Sequence, residues 1–241
     1  LSGEIGLQAA VYGPGPKFFI PFINKAMKHK IITVGAEQMM AIEAVTGVDL
    51  PTGEFFGAPV ECKNFQDGEM FLTNNGQKGY QSQMLPPGQY MINPHLFTWK
   101  ISNEYTVTEG QIGMIEAMAG SPIPAGRIFA NPVECDNFQD GDKFLKNKGQ
   151  KGPQLTVLPP GKYRFNPYLF VFHIAKATVI EGGFVGTVEA VDGATIDSGR
   201  LLAKKITGHS NFEDAAEFIK AGGQKGRQLE ILMPGTYRIN T

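Results

Sequence analysis

The 241 residues carry 22 Lys and Arg against 23 Asp and Glu, a formal net charge of −1. That balance argues against a domain built to grip nucleic-acid backbone, which is normally clearly basic. Hydrophobic content of 42% and charged content of 19% argue against a long disordered segment, and 30 glycines with 16 prolines imply many turns and short strands.

In chain order, residues 1–33 read as the end of a truncated unit. Gly15 and Pro21 stand 73 positions before Gly88 and Pro94. The apolar run Phe18–Ile23 is six residues long and contains Pro21, far short of the roughly 18 needed to span a bilayer. Residues 34–106, 107–178 and 179–241 then form three repeats, the last truncated. Asn64-Phe65-Gln66-Asp67-Gly68 returns at Asn137–Gly141 and, varied, at Asn211–Ala215. Gly-Gln-Lys-Gly begins at Gly76, Gly149 and Gly223. Gly53, Gly126 and Gly199 keep the 73-residue spacing, and Tyr90, Tyr163 and Tyr237 follow at 73 and 74. Many anchors at one spacing are the signature of a repeat architecture. Leu1 is not a start methionine and both ends fall inside a repeat, so the expectation is a segment of a longer protein.

Within one repeat, Gln111–Met118 alternates as a strand, Ala119–Pro122 supplies a turn, and Gly126–Phe129 begins a second strand, a predicted hairpin. A short helix is expected next. In Asn211–Lys220 the apolar Phe212, Ala215, Ala216 and Ile219 have helical spacing, with Asn211 as N-cap and Gly222-Gly223 as the stop. Asn137–Asn147 is its equivalent, weakened by Gly141 by about 1 kcal/mol. A second hairpin is predicted around Pro159-Pro160-Gly161, a type II turn in which glycine would take the positive φ. In Gly13-Pro14-Gly15-Pro16 the last proline cannot donate, so that turn would be open. The expected fold class is therefore mainly β (α+β), a tandem array of units of about 73 residues, each with two hairpins and one short helix. A unit of that size buries only about 60% of its unfolded surface, so stacking on its neighbours would complete it.

The search for chemistry finds no catalytic, cofactor-binding or metal residues. Cys62 and Cys135 occupy equivalent positions, where bridging distance is seldom met, and read as small half-buried thiols. His29, His95, His173 and His209 have no partner at metal-ligand spacing. Gly149-Gln150-Lys151-Gly152 lacks the length and the Ser/Thr of a phosphate loop and reads as a helix C-cap. Asp67 and Asp140 read as helix-start residues rather than calcium ligands. An active site is one asymmetric constellation, and nothing here suggests one recurring every 73 residues, so the chain is expected not to be an enzyme.

Gly3-Glu4-Ile5-Gly6-Leu7, followed by Tyr12–Phe22 and the basic Lys25, Lys28 and Lys30 before Ile31–Val34, resembles the opening strands of the SPFH or band 7 family (stomatin, prohibitin, flotillin). The Pro-Pro-Gly-x-Tyr-x-x-Asn-Pro and Asn-Phe-Gln-Asp-Gly motifs are similar to the repeat region of large bacterial flotillin-like SPFH-domain proteins. The family's long helical region is absent here, and the stacked units also resemble, in architecture alone, the wall repeats of the major vault protein. The resemblance implies a non-enzymatic scaffold without cofactors, a wall segment of a homo-oligomeric ring or cage. It would associate with a membrane, at its cytoplasmic face, through sequence outside this segment, and would organise protein clients but no nucleic acid. Two alternatives come from other classes: a cell-surface or periplasmic repeat stalk, and a regulatory module of an enzyme. A coiled-coil region, a secretion signal with an anchor, or a fused catalytic domain elsewhere in the gene would separate the three.

Overall fold

A computed structural model describes residues 6–18 and 25–240. Gly3–Ile5 and Phe19–Phe22 of the SPFH-like segment, and Thr241, lie outside the described residues. The fold is mainly β and divides into two compact bodies, Leu1–Asn103 and Glu104–Thr241.

The first body contains β1 (Ile32–Val34), β2 (Gln38–Ala44), β3 (Phe56–Gly57), helix α1 (Gly68–Thr73), β4 (Gly79–Leu85), β5 (Gly88–Tyr90) and β6 (Phe97–Asn103). Its main sheet has the order β3-β4-β2-β6, and β1 pairs with β5 in a separate ladder. The second body contains β7 (Tyr105–Val107), β8 (Gln111–Ala117), α2 (Gly141–Lys146), β9 (Gly152–Pro153), β10 (Gly161–Tyr163) and β11 (Phe170–Lys176). It continues with β12 (Thr178–Ile180), β13 (Gly186–Ala190), α3 (Ala215–Lys220), β14 (Gly226–Leu232) and β15 (Gly235–Tyr237). Here β8 lies between β11 and β9, while β7 pairs with β10, β12 with β15 and β13 with β14.

Neither predicted hairpin forms. Strand β8 pairs along its whole length with β11, Phe170 opposite Ala117 and Lys176 opposite Gln111. Gly126–Phe129 is not a strand. It leads to Ala130, which bridges Gln154 in parallel, as Phe56 and Gly57 of β3 do with Tyr80 and Gln81. Two-residue alternation identifies a strand and its faces but carries no information about its partner.

The proline-glycine turn is a corner. Across it the antiparallel ladder continues: Met40 faces Leu85 before the bend, and Val34 faces Gly88 after it. Both strands of the ribbon change sheets together, a bend of the kind that joins crossed sheets. The expected type II turn is absent for two local reasons. The Pro159 carbonyl, its acceptor, takes the Tyr163 hydroxyl at 2.8 Å, as the Pro86 and Met233 carbonyls take Tyr90 and Tyr237 at 2.7 Å. Gly161 has no positive φ; it lies against the Tyr163 ring, whose hydroxyl would stand 3.1 Å from an added Cβ.

The helices begin at Gly68, Gly141 and Ala215, later than the sequence suggests. The cap is the aspartate: Asp67, Asp140 and Asp214 accept from the backbone N–H three residues on, at 3.0, 2.9 and 2.9 Å. Asn64, Asn137 and Asn211 instead sit at the centre of a left-handed turn of three non-glycine residues, such as Lys63-Asn64-Phe65 with φ of 51°, 56° and 60°. Each such residue costs about 1–2 kcal/mol. The turn swings Phe65, Phe138 and Phe212 into the core, and its closing hydrogen bond runs from the Asp67 N–H to the Cys62 carbonyl at 3.1 Å.

That phenylalanine belongs to an aromatic triad. Phe65, Phe71 and Phe97 meet at 6.1, 5.4 and 4.9 Å, and Phe138, Phe144 and Phe170 at 6.2, 5.6 and 5.0 Å. Edge-on packing at such distances suits aromatic quadrupoles. Around the first triad lie Met40, Ile42, Leu85 and Leu96, all buried.

Candidate functional site

The Gly-Gln-Lys-Gly loops are consumed by structure. The Gly76, Gly149 and Gly223 N–H groups donate to Phe71, Phe144 and Phe218 carbonyls at 2.8 Å. These glycines are the second residue beyond the cap of a Schellman motif; the left-handed residue is the one before, Asn75, Lys148 or Gly222. A Cβ on Gly149 would stand 2.4 Å from the Phe144 ring, so glycine is required by contact rather than by φ. Lys78, Lys151 and Lys225 donate their N–H to Val48, Ser121 and Ala194 carbonyls at 2.8–2.9 Å. With those donors occupied, the loop has little to offer a phosphate.

The glutamines are equally engaged. Gln77, Gln150 and Gln224 accept from the N–H of Ala58, Asn131 and Lys204 at 2.9, 2.7 and 2.9 Å. Gln81, Gln154 and Gln228, all buried, donate to two carbonyls each; Gln154 reaches those of Gln150 and Gly152 at 2.8 Å. This second glutamine was missed by sequence reasoning, although Gly-Gln-Lys-Gly-x-Gln recurs three times. Gln66, Gln139 and Glu213 accept from Met91, Arg164 and Arg238 N–H, tying the helix start to the strand after the corner.

Cys62 and Cys135 are free and buried, and burial raises both thiols above their ordinary range. They stay protonated and are weak nucleophiles. Each accepts the N–H of the phenylalanine three residues on, and Cys135 donates to the Val133 carbonyl at 3.4 Å. His209 stands in their place in the third repeat: Nδ1 accepts from the Phe212 N–H at 2.9 Å and Nε2 lies 3.1 Å from the Ile206 carbonyl. It serves as a packed hydrogen-bonding wedge. His29 and His95 meet edge to face at 5.6 Å on the surface, and His173 is exposed on β11. Among the described residues no group of three His, Cys, Asp or Glu could hold a metal, and no helix is long and apolar enough to cross a membrane.

What the structure brings together instead are contacts between successive sequence repeats. Buried Asn93 donates to the carbonyls of Gln8 and Ala9, at 2.9 and 3.2 Å and more than 80 positions upstream. Asn240 makes the same pair of bonds to Gln154 and Leu155, both at 3.2 Å. Asn93 Oδ1 accepts from His95 N–H at 2.9 Å, and its own carbonyl accepts from Leu96 and Phe97. One asparagine thus organises the turn before the next strand and clasps the preceding repeat. In the second body Asp192 adds a buried ion pair. Both carboxylate oxygens lie 3.0 Å from Arg127 Nε, and the N–H groups of Ile128, Phe129 and Gly193 also donate to them. Burial opposes its charge, but these donors prevail and hold its carboxyl below the usual range.

Compared with protein-family models, curated proteins and solved structures, the chain matches none.

Proposed function

We propose that this chain is a non-enzymatic scaffold: a tandem array of units of about 73 residues that forms a wall segment of a large, membrane-associated homo-oligomeric ring or cage. The observation that carries the reading is the asparagine clasp, made by Asn93 and again by Asn240, each reaching two backbone carbonyls of the preceding repeat. Bonds of that kind couple one unit to the next, so stability and stiffness propagate along an array. The recurring polar motifs support the same reading, since caps, corners and loop braces account for the side chains that a functional motif would need free. The SPFH resemblance supplies the membrane association, the cytoplasmic face and the ring or cage; rotational symmetry is how identical rods close.

The test is particle imaging and light scattering of the full natural protein at physiological salt. Closed rings or cages with these repeats stacked in the wall are expected. A stable monodisperse monomer with this segment as a free flexible string would refute the proposal.

A further inference from the structure

Two charged side chains recur in every repeat without a part in the fold. The glycines and glutamine of Gly-Gln-Lys-Gly are fixed by ring contacts and hydrogen bonds. Lys78, Lys151 and Lys225 contribute only a backbone N–H, which any residue but proline could supply, and their side chains are exposed. Glu43, Glu116 and Glu189 hold the other recurring place, each just before the last alanine of β2, β8 or β13. Among the described residues none of these lysines or glutamates forms an ion pair. Glu43 alone accepts a side-chain hydrogen bond, from the Thr98 hydroxyl at 3.2 Å. Other exposed positions are not held in this way: Asp49, Pro122 and Thr195 are equivalent, as are Lys63, Asp136 and Ser210.

The two charges lie on adjoining strands around an exposed apolar residue. Glu43 pairs with Tyr80, and Ala44 with Gly79, the residue after Lys78. Glu116 pairs with Pro153, and Ala117 with Gly152, the residue after Lys151. Ala44 and Ala117 are buried, so strand alternation turns Glu43 and Glu116 outward. Val45 and Met118, the next residues, are 49% and 48% exposed. One exposed aliphatic side chain is ordinary; its recurrence beside two unpaired charges of opposite sign is not. Phe55 and Ile128 are also exposed and keep the same spacing. In the second body the Ile128 N–H bonds Asp192, next to Val191, so the apolar surface of one repeat adjoins that of the next.

We propose that this recurring surface binds a second copy of the chain, the glutamates of one copy meeting the lysines of the other. The inference rests on the homo-oligomeric reading above and names the surface through which copies meet. Two observations select a second copy. The glutamates recur at 73 residues and the lysines at 73 and 74, so only a partner of the same period engages every repeat. Each repeat also offers one charge of each sign, so a uniformly acidic or basic partner meets repulsion in every unit. A copy turned about a two-fold axis instead presents a lysine to each glutamate and a glutamate to each lysine. The exposed apolar side chains supply the burial that surface ion pairs, worth little alone, do not.

The test compares two triple variants of the full natural protein by light scattering at physiological salt. One carries Lys78→Glu, Lys151→Glu and Lys225→Glu; the other carries Glu43→Lys, Glu116→Lys and Glu189→Lys. Each alone should need at least about tenfold more protein than wild type to assemble, because like charges then face one another. An equimolar mixture should assemble as wild type does, one copy presenting only glutamates and the other only lysines. Either variant assembling alone like wild type, or a mixture that recovers nothing, overturns the proposal; closed wild-type rings would still leave the scaffold reading standing. A monomeric wild type overturns both. Zero-length carbodiimide cross-linking of isotope-labelled and unlabelled wild type reads the same contact without substitution. Glu–Lys links at these positions joining a labelled to an unlabelled chain are expected, and links within single chains only overturn the proposal.

Discussion

Asp192 and Lys148 show how a single residue's environment decides the sign of its contribution. The Asp192 side chain is 4% exposed and that of Arg127 20%, so removing one charge strands the other in low dielectric. Such losses run to about 3–5 kcal/mol, and Asp192→Asn, which keeps some of the hydrogen bonds, is expected to cost about 3 kcal/mol in urea denaturation at pH 7. Its folded-state carboxyl lies below the unfolded value. The contribution is therefore complete above the unfolded value near pH 4 and is lost as pH falls through the folded one. The gap between wild type and Asp192→Asn should close on acidification from pH 5 to pH 2. Lys148 has the opposite character. It occupies the left-handed position after α2 with φ of 59°, where the third repeat has Gly222. Lys148→Gly removes the Cβ penalty and is expected to stabilise by about 0.5–1 kcal/mol, read as a rise in denaturation midpoint.

At the scale of the element, each six-residue helix is too short to hold by itself. An aspartate cap before it, a Schellman stop after it and a phenylalanine lying flat on a glycine fix α2 in place. Gly149 and Gly126 separate two uses of glycine. Gly149→Ala would drive a methyl into the Phe144 ring, which is fully buried and fixed by Phe138 and Phe170. A loss of about 2–3 kcal/mol is expected, as for other overpacked cores. Gly126 has φ of 86° and no atom within 4 Å of an added Cβ, so Gly126→Ala should cost only about 1 kcal/mol of backbone strain. Equal losses at the two sites, in the same denaturation assay, would contradict this assignment of roles.

For the whole molecule, the question is how strongly one repeat feels the next. Within the second body, Asn240 and the Asp192–Arg127 pair both bind residues 178–240 to residues 104–177. Removing both clasps with Asn240→Ala and Asp192→Ala leaves each repeat its own core. Unfolding of that body should then split from one transition into two. Amide exchange resolved by residue would follow the two repeats separately; a single lowered transition would mean that the clasps add stability without coupling. Sheet edges belong to this scale as well, since unprotected ones invite pairing between copies.

The repeat spacing, the β-rich character and the position of three short helices near the Asn-Phe motifs were legible in the sequence, whereas the two cysteines, read as half-buried, are buried outright. The legible features depend on local chemistry: turn residues, strand alternation and caps. The exact cap was misplaced because asparagine and aspartate are both good caps, and only the left-handed turn at Asn64, Asn137 and Asn211 shows which one the helix uses. Strand partners were not legible at all. Lys176 meets Gln111 across 65 positions, and alternation reads the same whichever strand lies alongside. The corner at Pro159-Pro160-Gly161 looked like a hairpin because its residues suit a tight turn, whereas Tyr163 claims the carbonyl that such a turn needs. The clasps were invisible for the same reason: an asparagine's partners exist only once distant segments are packed. Sequence set the local conformations; tertiary contact decided which strands pair and which side chains bind adjoining repeats.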